Sequence, residues 1–202
     1  MRPAYSERLD QATLLAVRSF RGLYRKGSTV PYITHLFAVT ALVGEYGGDE
    51  DQLIAAMLHD YLEDIPSATY EGVRDQFGDR VARFVLALSD TTVSPKPPWR
   101  DRKTKYLAHL RAKEPALKLI SAADKLHNCH ATLLNVRSQG DSCYERFNDE
   151  IADVFETKAE GVLWYYRSLV EALEEGWDDP LLEALRAEVI ALHEASGAPS
   201  PW

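Results

Sequence analysis

The sequence predicts an all-α fold, a single domain spanning 1–202 with roughly nine helices. Three observations carry this. Apolar residues recur every three or four positions along most of the chain. No stretch alternates polar and apolar side chains in the manner of a half-buried strand. The interruptions fall at helix punctuation, namely Gly, Pro, and the Ser, Thr or Asp residues that cap helix starts.

The elements follow in order. From Ser6 to Lys26, apolar side chains at Leu9, Leu14, Val17, Phe20 and Leu23 share one helical stripe, with Ser6 as N-cap and Gly27 as terminator. A second helix runs from Thr34 to Tyr46 and stops at Gly47-Gly48. Asp49 caps a third, which continues to Glu63 or Asp64 before Pro66. Thr69 to Phe77 and Asp79 to Ser89 are two short helices broken at Gly78. TTVSPKPP (91–98) is a loop, because its prolines exclude a helix interior. Helical period returns over Trp99 to Ala112, and from Pro115 to Val136, where Pro115 suits the first turn. Ser138 to Ser142 is a second loop. Two or more helices fill 143–176, and a last one starts at Asp179-Pro180 and fades into SGAPSPW.

Composition narrows the function. Twenty-three basic against thirty-one acidic residues give a formal charge of −8, which argues against nucleic acid as a partner and leaves a small anionic substrate open. Cys129 and Cys143 have no CxxC spacing and make no disulfide framework. The opening MRPAYSERLD lacks the apolar region of a signal peptide, and the apolar runs fall far short of the ~20 residues of a membrane span. The expectation is a cytoplasmic protein, with homo-oligomeric assembly left open.

The third helix holds the densest chemistry, His59-Asp60-Tyr61-Leu62-Glu63-Asp64. At about 100° per residue, His59, Glu63, Asp60 and Asp64 share one face, opposite Leu53, Ile54, Met57, Leu58, Tyr61 and Leu62. Between Asp49 and Gly72 stand seven acidic residues and no Lys or Arg, so no partner within that segment relieves their repulsion. A solvated polar face is one reading; a bound cation, which would offset the repulsion, is the other. His35 lies among Ala38, Val39 and Leu42, and Asp124 among Ile120, Ala122, Ala123 and Leu126. A carboxylate in an apolar segment needs a partner, a metal or a buried cation. Asn128 follows Asp124 by one helical turn. Two imidazoles and two carboxylates suit Mn²⁺, Fe²⁺ or Zn²⁺.

The order His…HisAsp…Asp resembles the HD-domain metal-dependent phosphohydrolases. The longer strings PYITHLFAV (31–39), IAAMLHDYLEDI (54–65), FGDRVARFV (77–85) and AADKLHN (122–128) are similar to the (p)ppGpp hydrolase domain of Rel/SpoT proteins and to the stand-alone small alarmone hydrolases. The resemblance covers about residues 20–136, followed by a helical extension over 143–196. It implies an HD-type helical bundle with His35, His59, Asp60 and Asp124 as ligands of one divalent metal, typically Mn²⁺. It implies Glu63 and Asp64 as the pair that activates or orients the attacking water. Arg25 and Lys26 match the basic pair at the base and phosphates, and Asn128 the residue at the ribose.

This chain departs from the family pattern at several places. The loop from Arg25 to Pro31 is one residue shorter, Ser121 stands where a lysine is common, and the motif reads LEDI in place of VEDT. The stretch after Thr91 also departs. None of these positions is an implied metal ligand; all bear on substrate identity.

The resulting expectation is a manganese-dependent hydrolase of a nucleotide, removing the 3′-diphosphate of ppGpp to leave GDP and pyrophosphate. Two readings stand beside it: an HD-type nucleotidase or phosphoesterase acting on another nucleotide, and a non-catalytic nucleotide-binding signalling module. A metal that only clamps helices is a third. The basic run Arg100 to Lys105 reads as a solvated face or as a second source of phosphate contacts, through Lys103 or Lys105. Trp164, Tyr165 and Tyr166 read as the core and rim of a late helix. His109, His127, His130 and His193 read as surface or interface residues.

Overall fold

The computed structural model describes residues 5–89 and 97–202. Ten α-helices and two 3₁₀ segments form, and no strand does, among the described residues. Most of the 91–98 loop lies outside them. Two compact units emerge: residues 5–89 together with Leu119–Ala123, and residues 97–118 together with Asp124–Trp202.

In the first unit, α1 (Glu7–Ser19), α2 (Ile33–Glu45) and α6 (Asp79–Leu88) pack around α3 (Glu50–Met57). The sequence of α3 suits this central place. Ile54, Ala55 and Ala56 are fully buried, and two alanines in succession let neighbouring helices approach closely. Its start is fixed by a capping box in which the Asp49 carboxylate accepts from the Gln52 amide while the Gln52 side chain accepts from Asp49 N–H. Such a cap stabilises by about 1 kcal/mol. The acidic residues here are not left to repel one another. Arg8 on α1 reaches Asp51 at 2.8 Å and Glu50 at 3.4 Å, and Arg80 on α6 reaches Asp49 at 2.7 Å and Asp51 at 3.2 Å. The first three acids of the segment therefore serve the helix N-terminus, and the relief they need comes from arginines outside the segment.

Two boundaries differ from the sequence expectation. The first helix ends at Ser19, not Lys26. Phe20 caps it, its ring buried and stacked on Tyr32 at 5.4 Å, and the chain then turns back through an isolated antiparallel bridge between Tyr24 and Pro31. The third helix is not continuous: α3 stops at Met57, residues 58–60 form a turn, and a four-residue helix α4 (Tyr61–Asp64) follows. Next comes α5 (Tyr70–Phe77), N-capped by Thr69. It meets α6 at Gly78, whose φ of +91° is open to glycine and strained for other residues.

In the second unit, α9 (Lys158–Glu174) is the central element, packed by α7 (Trp99–Arg111) and α10 (Pro180–Ala195). A Cβ at Gly161 would stand 2.3 Å from Ile151, so only glycine lets the 3₁₀ segment Asp149–Ile151 lie this close to α9. Gly140–Arg146 and Asp149–Ile151, where α-helix was expected from 143 onward, are two 3₁₀ segments instead. One carboxylate of the second segment, Glu150, accepts the Trp99 N–H at 2.6 Å and so completes the start of α7, whose own cap residue, Pro98, has no side-chain acceptor to offer.

Helix α8 (Pro115–Gln139) begins in this unit with Lys118, 1% exposed, whose ammonium donates to the Leu173 carbonyl at 3.2 Å and to the Glu175 carbonyl. A cation there satisfies orphan acceptors at the C-terminus of α9 and complements its dipole. α10 ends at Ala195, and the tail beyond it is tied back by hydrogen bonds. Ser196 bonds Tyr144 at 2.7 Å, and His193 Nδ1 donates to the Pro199 carbonyl at 3.0 Å. His193 is therefore buried, not a surface residue.

Candidate metal centre

His59 lies just past the end of α3, where helix geometry leaves carbonyls without partners. Its Nδ1 stands 2.7 Å from the Ala56 carbonyl. A carbonyl only accepts, so Nδ1 carries the proton and Nε2 is left as the ring's electron-pair donor. His35, in the first turn of α2, presents its own Nε2 at 3.2 Å from that of His59, with the two rings edge-on. Both imidazoles are buried, at 1% and 3% exposure.

Asp60 opens α4 but does not cap it with its side chain. Its backbone carbonyl accepts from Glu63 and Asp64, while the carboxylate turns inward. There Oδ2 stands 2.9 Å from His59 Nε2 and 3.8 Å from His35 Nε2. The Tyr32 hydroxyl donates to the same oxygen at 2.7 Å. A residue type suited to capping has given up the cap to face two imidazoles. Three electron-pair donors meet here, with the ring proton of His59 already committed to Ala56.

Asp124 is the residue of α8 that directly follows Leu119–Ala123, the stretch belonging to the first unit. It is 7% exposed. His35, His59 and Asp124 form a buried group in which one ligand atom of each lies within 4.8 Å of the others. Asn128 donates to Asp124 Oδ1 at 2.5 Å, and the Lys125 ammonium pairs with Oδ2. Burial opposes the charge on Lys125, but Asp124, with Tyr106 and Tyr165, holds its pKa well above the ordinary lysine value. The donor set fits a divalent cation: a His59 ring whose Nδ1 proton is committed to Ala56, a second buried imidazole, carboxylates, and outer partners that hold them.

The other expected site residues fall as follows. Glu63 is half-buried and Asp64 exposed, both on α4, within four residues of Asp60. They occupy the first turn of their own short helix, where carboxylates are favoured, and not the C-terminal end of a long one. Arg25 and Lys26 are not at a helix end; they sit in the turn closed by the Tyr24–Pro31 bridge. Arg25 is half-buried with its guanidinium 5.7 Å from the Tyr32 ring, and Lys26 is exposed. Asn128 is engaged with Asp124.

Two residues escaped sequence reasoning. Tyr32, three positions before His35, links Arg25, Phe20 and Asp60. Its signal was present as an aromatic hydroxyl one turn before a candidate ligand. Lys125 is the buried cation beside Asp124, adjacent in sequence and therefore about 100° away on an ideal helix.

The HD-domain family matches residues 12–160, well over half of the chain. The chain is 38% identical over 128 residues to the bifunctional (p)ppGpp synthase/hydrolase SpoT of Escherichia coli (strain K12), covering 60% of this chain and 18% of that protein. It is 30% identical over 126 residues to the guanosine-3′,5′-bis(diphosphate) 3′-pyrophosphohydrolase of Aquifex aeolicus, covering 62% and 18%. It thus spans less than a fifth of the length of these relatives. Among solved structures, a metazoan ortholog of SpoT, described as hydrolysing ppGpp, matches with a TM-score of 0.71 at 23% identity, covering 93% of this chain and 96% of that one. A Listeria monocytogenes EGD-e protein matches with a TM-score of 0.64 at 25% identity, covering 77% and 96%. The shared all-helical fold is the same in both comparisons. No helix among the described residues is long and apolar enough to cross a membrane.

Proposed function

The chain belongs to the HD-domain family, and we propose that it is a metal-dependent phosphohydrolase that removes the 3′-diphosphate of guanosine polyphosphates, ppGpp above all. The observation that carries this reading is the convergence of His35, His59 and Asp60, with Oδ2 2.9 Å and 3.8 Å from the two Nε2 atoms. These residues and Asp124 would hold one divalent cation, Mn²⁺ in the first instance. When bound, such an ion stabilises charge on a phosphoryl oxygen and makes water more acidic.

The chain's own groups do the rest. Glu63 and Asp64 accept the proton of the attacking water. The oxygen of that water forms a bond to the phosphorus nearest the ribose, the bond from phosphorus to the ribose 3′-oxygen breaks, and the ribose oxygen takes up a proton. GDP and pyrophosphate are the products. Arg25 and Lys26, on one turn, offset phosphate charge. Asn128 steadies Asp124 through its amide N–H and faces the ribose. Tyr32 fixes the Asp60 carboxylate and stands beneath Arg25, so the turn that meets the nucleotide is tied to a ligand.

The test is release of pyrophosphate and GDP from ppGpp with added Mn²⁺, Fe²⁺ or Zn²⁺, beside an Asp124→Ala control and a panel of ordinary nucleotides. Metal-dependent release that the variant loses is expected. Turnover of other nucleotides alone would make the protein a phosphoesterase of another substrate. Nucleotide binding with no turnover under any metal would make it a signalling module.

A further inference from the structure

In the first unit, α2 lacks the polar face that a surface helix turns to water. From Gly27 to Gly44 the chain carries no Asp, Glu, Lys or Arg, its longest such run. The inward stripe of the helix is His35, Leu36, Val39 and Val43. The outward one is Thr34, Phe37, Ala41, Gly44 and Glu45, all exposed, with Phe37 at 44%. A helix that is apolar all round is ordinarily covered on every side. The Thr34 hydroxyl already donates to the Pro31 carbonyl at 2.8 Å, so the stripe holds no unmet polar side chain before Glu45. Leu23, Tyr24 and Val30, exposed in the turn that precedes α2, add apolar surface at its N-terminal end.

We propose that a second copy of the chain docks on this face, α2 against α2 in an antiparallel pair about a two-fold axis. The spacing selects a copy over another occupant. Exposed positions 34, 37, 41 and 44 are three, four and three residues apart, the seam along which two helices interdigitate. That pattern reads the same in both directions about position 39. Reversal therefore sets Phe37 against the partner subunit's Ala41, and Thr34 against the partner subunit's Gly44. A larger side chain faces a smaller one each time, and each contact occurs twice. The ends match as well. The Leu23 carbonyl accepts from the Tyr32 N–H at 2.9 Å, so Arg21, two residues earlier, stands within about 10 Å of the start of α2. Glu45 closes the helix. Both are exposed, and neither side chain has an ion pair or hydrogen bond among the described residues. Antiparallel packing brings Arg21 toward the partner subunit's Glu45 and opposes the two helix dipoles. At a formal charge of −8 two copies repel over most of their surface, and an uncharged run with oppositely charged ends is where they meet without that repulsion.

The experiment is sedimentation equilibrium of the full chain over a series from about 1 to 200 μM, beside thermal unfolding of each variant. The wild type passes from monomer to dimer across this range. Phe37→Ser raises the dimer Kd by about tenfold or more, the loss of an apolar anchor used twice. Leu86→Ser, which removes a leucine 45% exposed on α6, leaves Kd within about twofold. Arg21→Glu and Glu45→Arg each raise Kd by about fivefold, because each puts like charges together at both ends of the pair. The double variant Arg21→Glu/Glu45→Arg restores the pairing and recovers the wild-type Kd within about twofold. An unchanged Tm shows that folding is not the cause. A wild type that stays monomeric throughout gives the face to another occupant and overturns the proposal. A dimer that survives Phe37→Ser, or that Leu86→Ser weakens equally, overturns it too. Charge reversals that fail to rescue one another overturn the antiparallel pair.

Discussion

Replacing Asp60 by asparagine should stabilise the metal-free protein and abolish its response to metal. In the wild type, His59 Nδ1 is committed to Ala56, so the lone pair of Nε2 faces the Asp60 oxygen at 2.9 Å. That contact is repulsive unless a cation lies between the two atoms. An amide nitrogen in the same place reverses the sign. One N–H donates to His59 Nε2, the other to the Tyr32 oxygen, which turns its own proton away. One buried neutral hydrogen bond replaces a repulsion, a gain of about 1 kcal/mol. For a chain of this size that is about 2–4 °C in Tm.

Under the proposed function, metal should act on the wild type through linkage, because only the folded chain brings His35, His59, Asp60 and Asp124 together. At a concentration 100 times Kd it adds about 2.7 kcal/mol, or about 5–11 °C. The assay is thermal unfolding of both proteins at pH 8.5 in EDTA and in a Mn²⁺ series. The refuting outcome is an Asp60→Asn protein less stable than wild type in EDTA, or one that keeps the full metal shift. The first would mean that a proton, as an imidazolium paired with Asp60, occupies this place.

Two further predictions come from neighbouring contacts. Tyr32→Phe keeps the ring stacked on Phe20 but removes the hydroxyl from Asp60, and should weaken Mn²⁺ binding by about 10–100-fold, read from the free-ion EPR signal; an unchanged affinity would show that the bond does not position the carboxylate. Lys118→Met keeps the volume but strands the Leu173 and Glu175 carbonyls, and should cost about 1–3 kcal/mol in urea unfolding. Burial holds the folded pKa of Lys118 below its ordinary value, so between the two values the unfolded chain binds more protons and stability rises with pH. The variant should lose that alkaline rise, and a parallel rise in both proteins would assign it to another group.

Most helices were legible because their signals are local. Ser6, Asp49, Thr69 and Asp179 cap helices where the sequence places them, and Pro115 and Pro180 stand in first turns. The misses are tertiary. Arg25 and Lys26 carry helix-compatible residues, but Phe20 finds Tyr32 and the chain turns back, a contact no local window contains. The acids at 49–51 counted toward the unrelieved repulsion of the 49–72 segment because Arg8 and Arg80, which pair with them, lie far off in sequence. His193 looked exposed because the residue that takes its ring proton, Pro199, belongs to the tail.

The site itself explains the largest miss. Adjacent residues on an α-helix point about 100° apart, so an unbroken helix through His59 and Asp60 directs their side chains away from each other. Here Oδ2 and Nε2 are 2.9 Å apart. That requires the helix to stop. Leu58 closes α3 with its amide shared between the Ile54 and Ala55 carbonyls, and Asp60 takes φ −96° and ψ 3°, outside helical values. His59 then satisfies the exposed Ala56 carbonyl with its ring, so the termination that frees the two side chains also leaves Nε2 as an electron-pair donor. The residue types were readable because the chemistry demands imidazole and carboxylate. Their geometry was not, since it depends on a break that carries neither glycine nor proline and is held by the His59 ring itself.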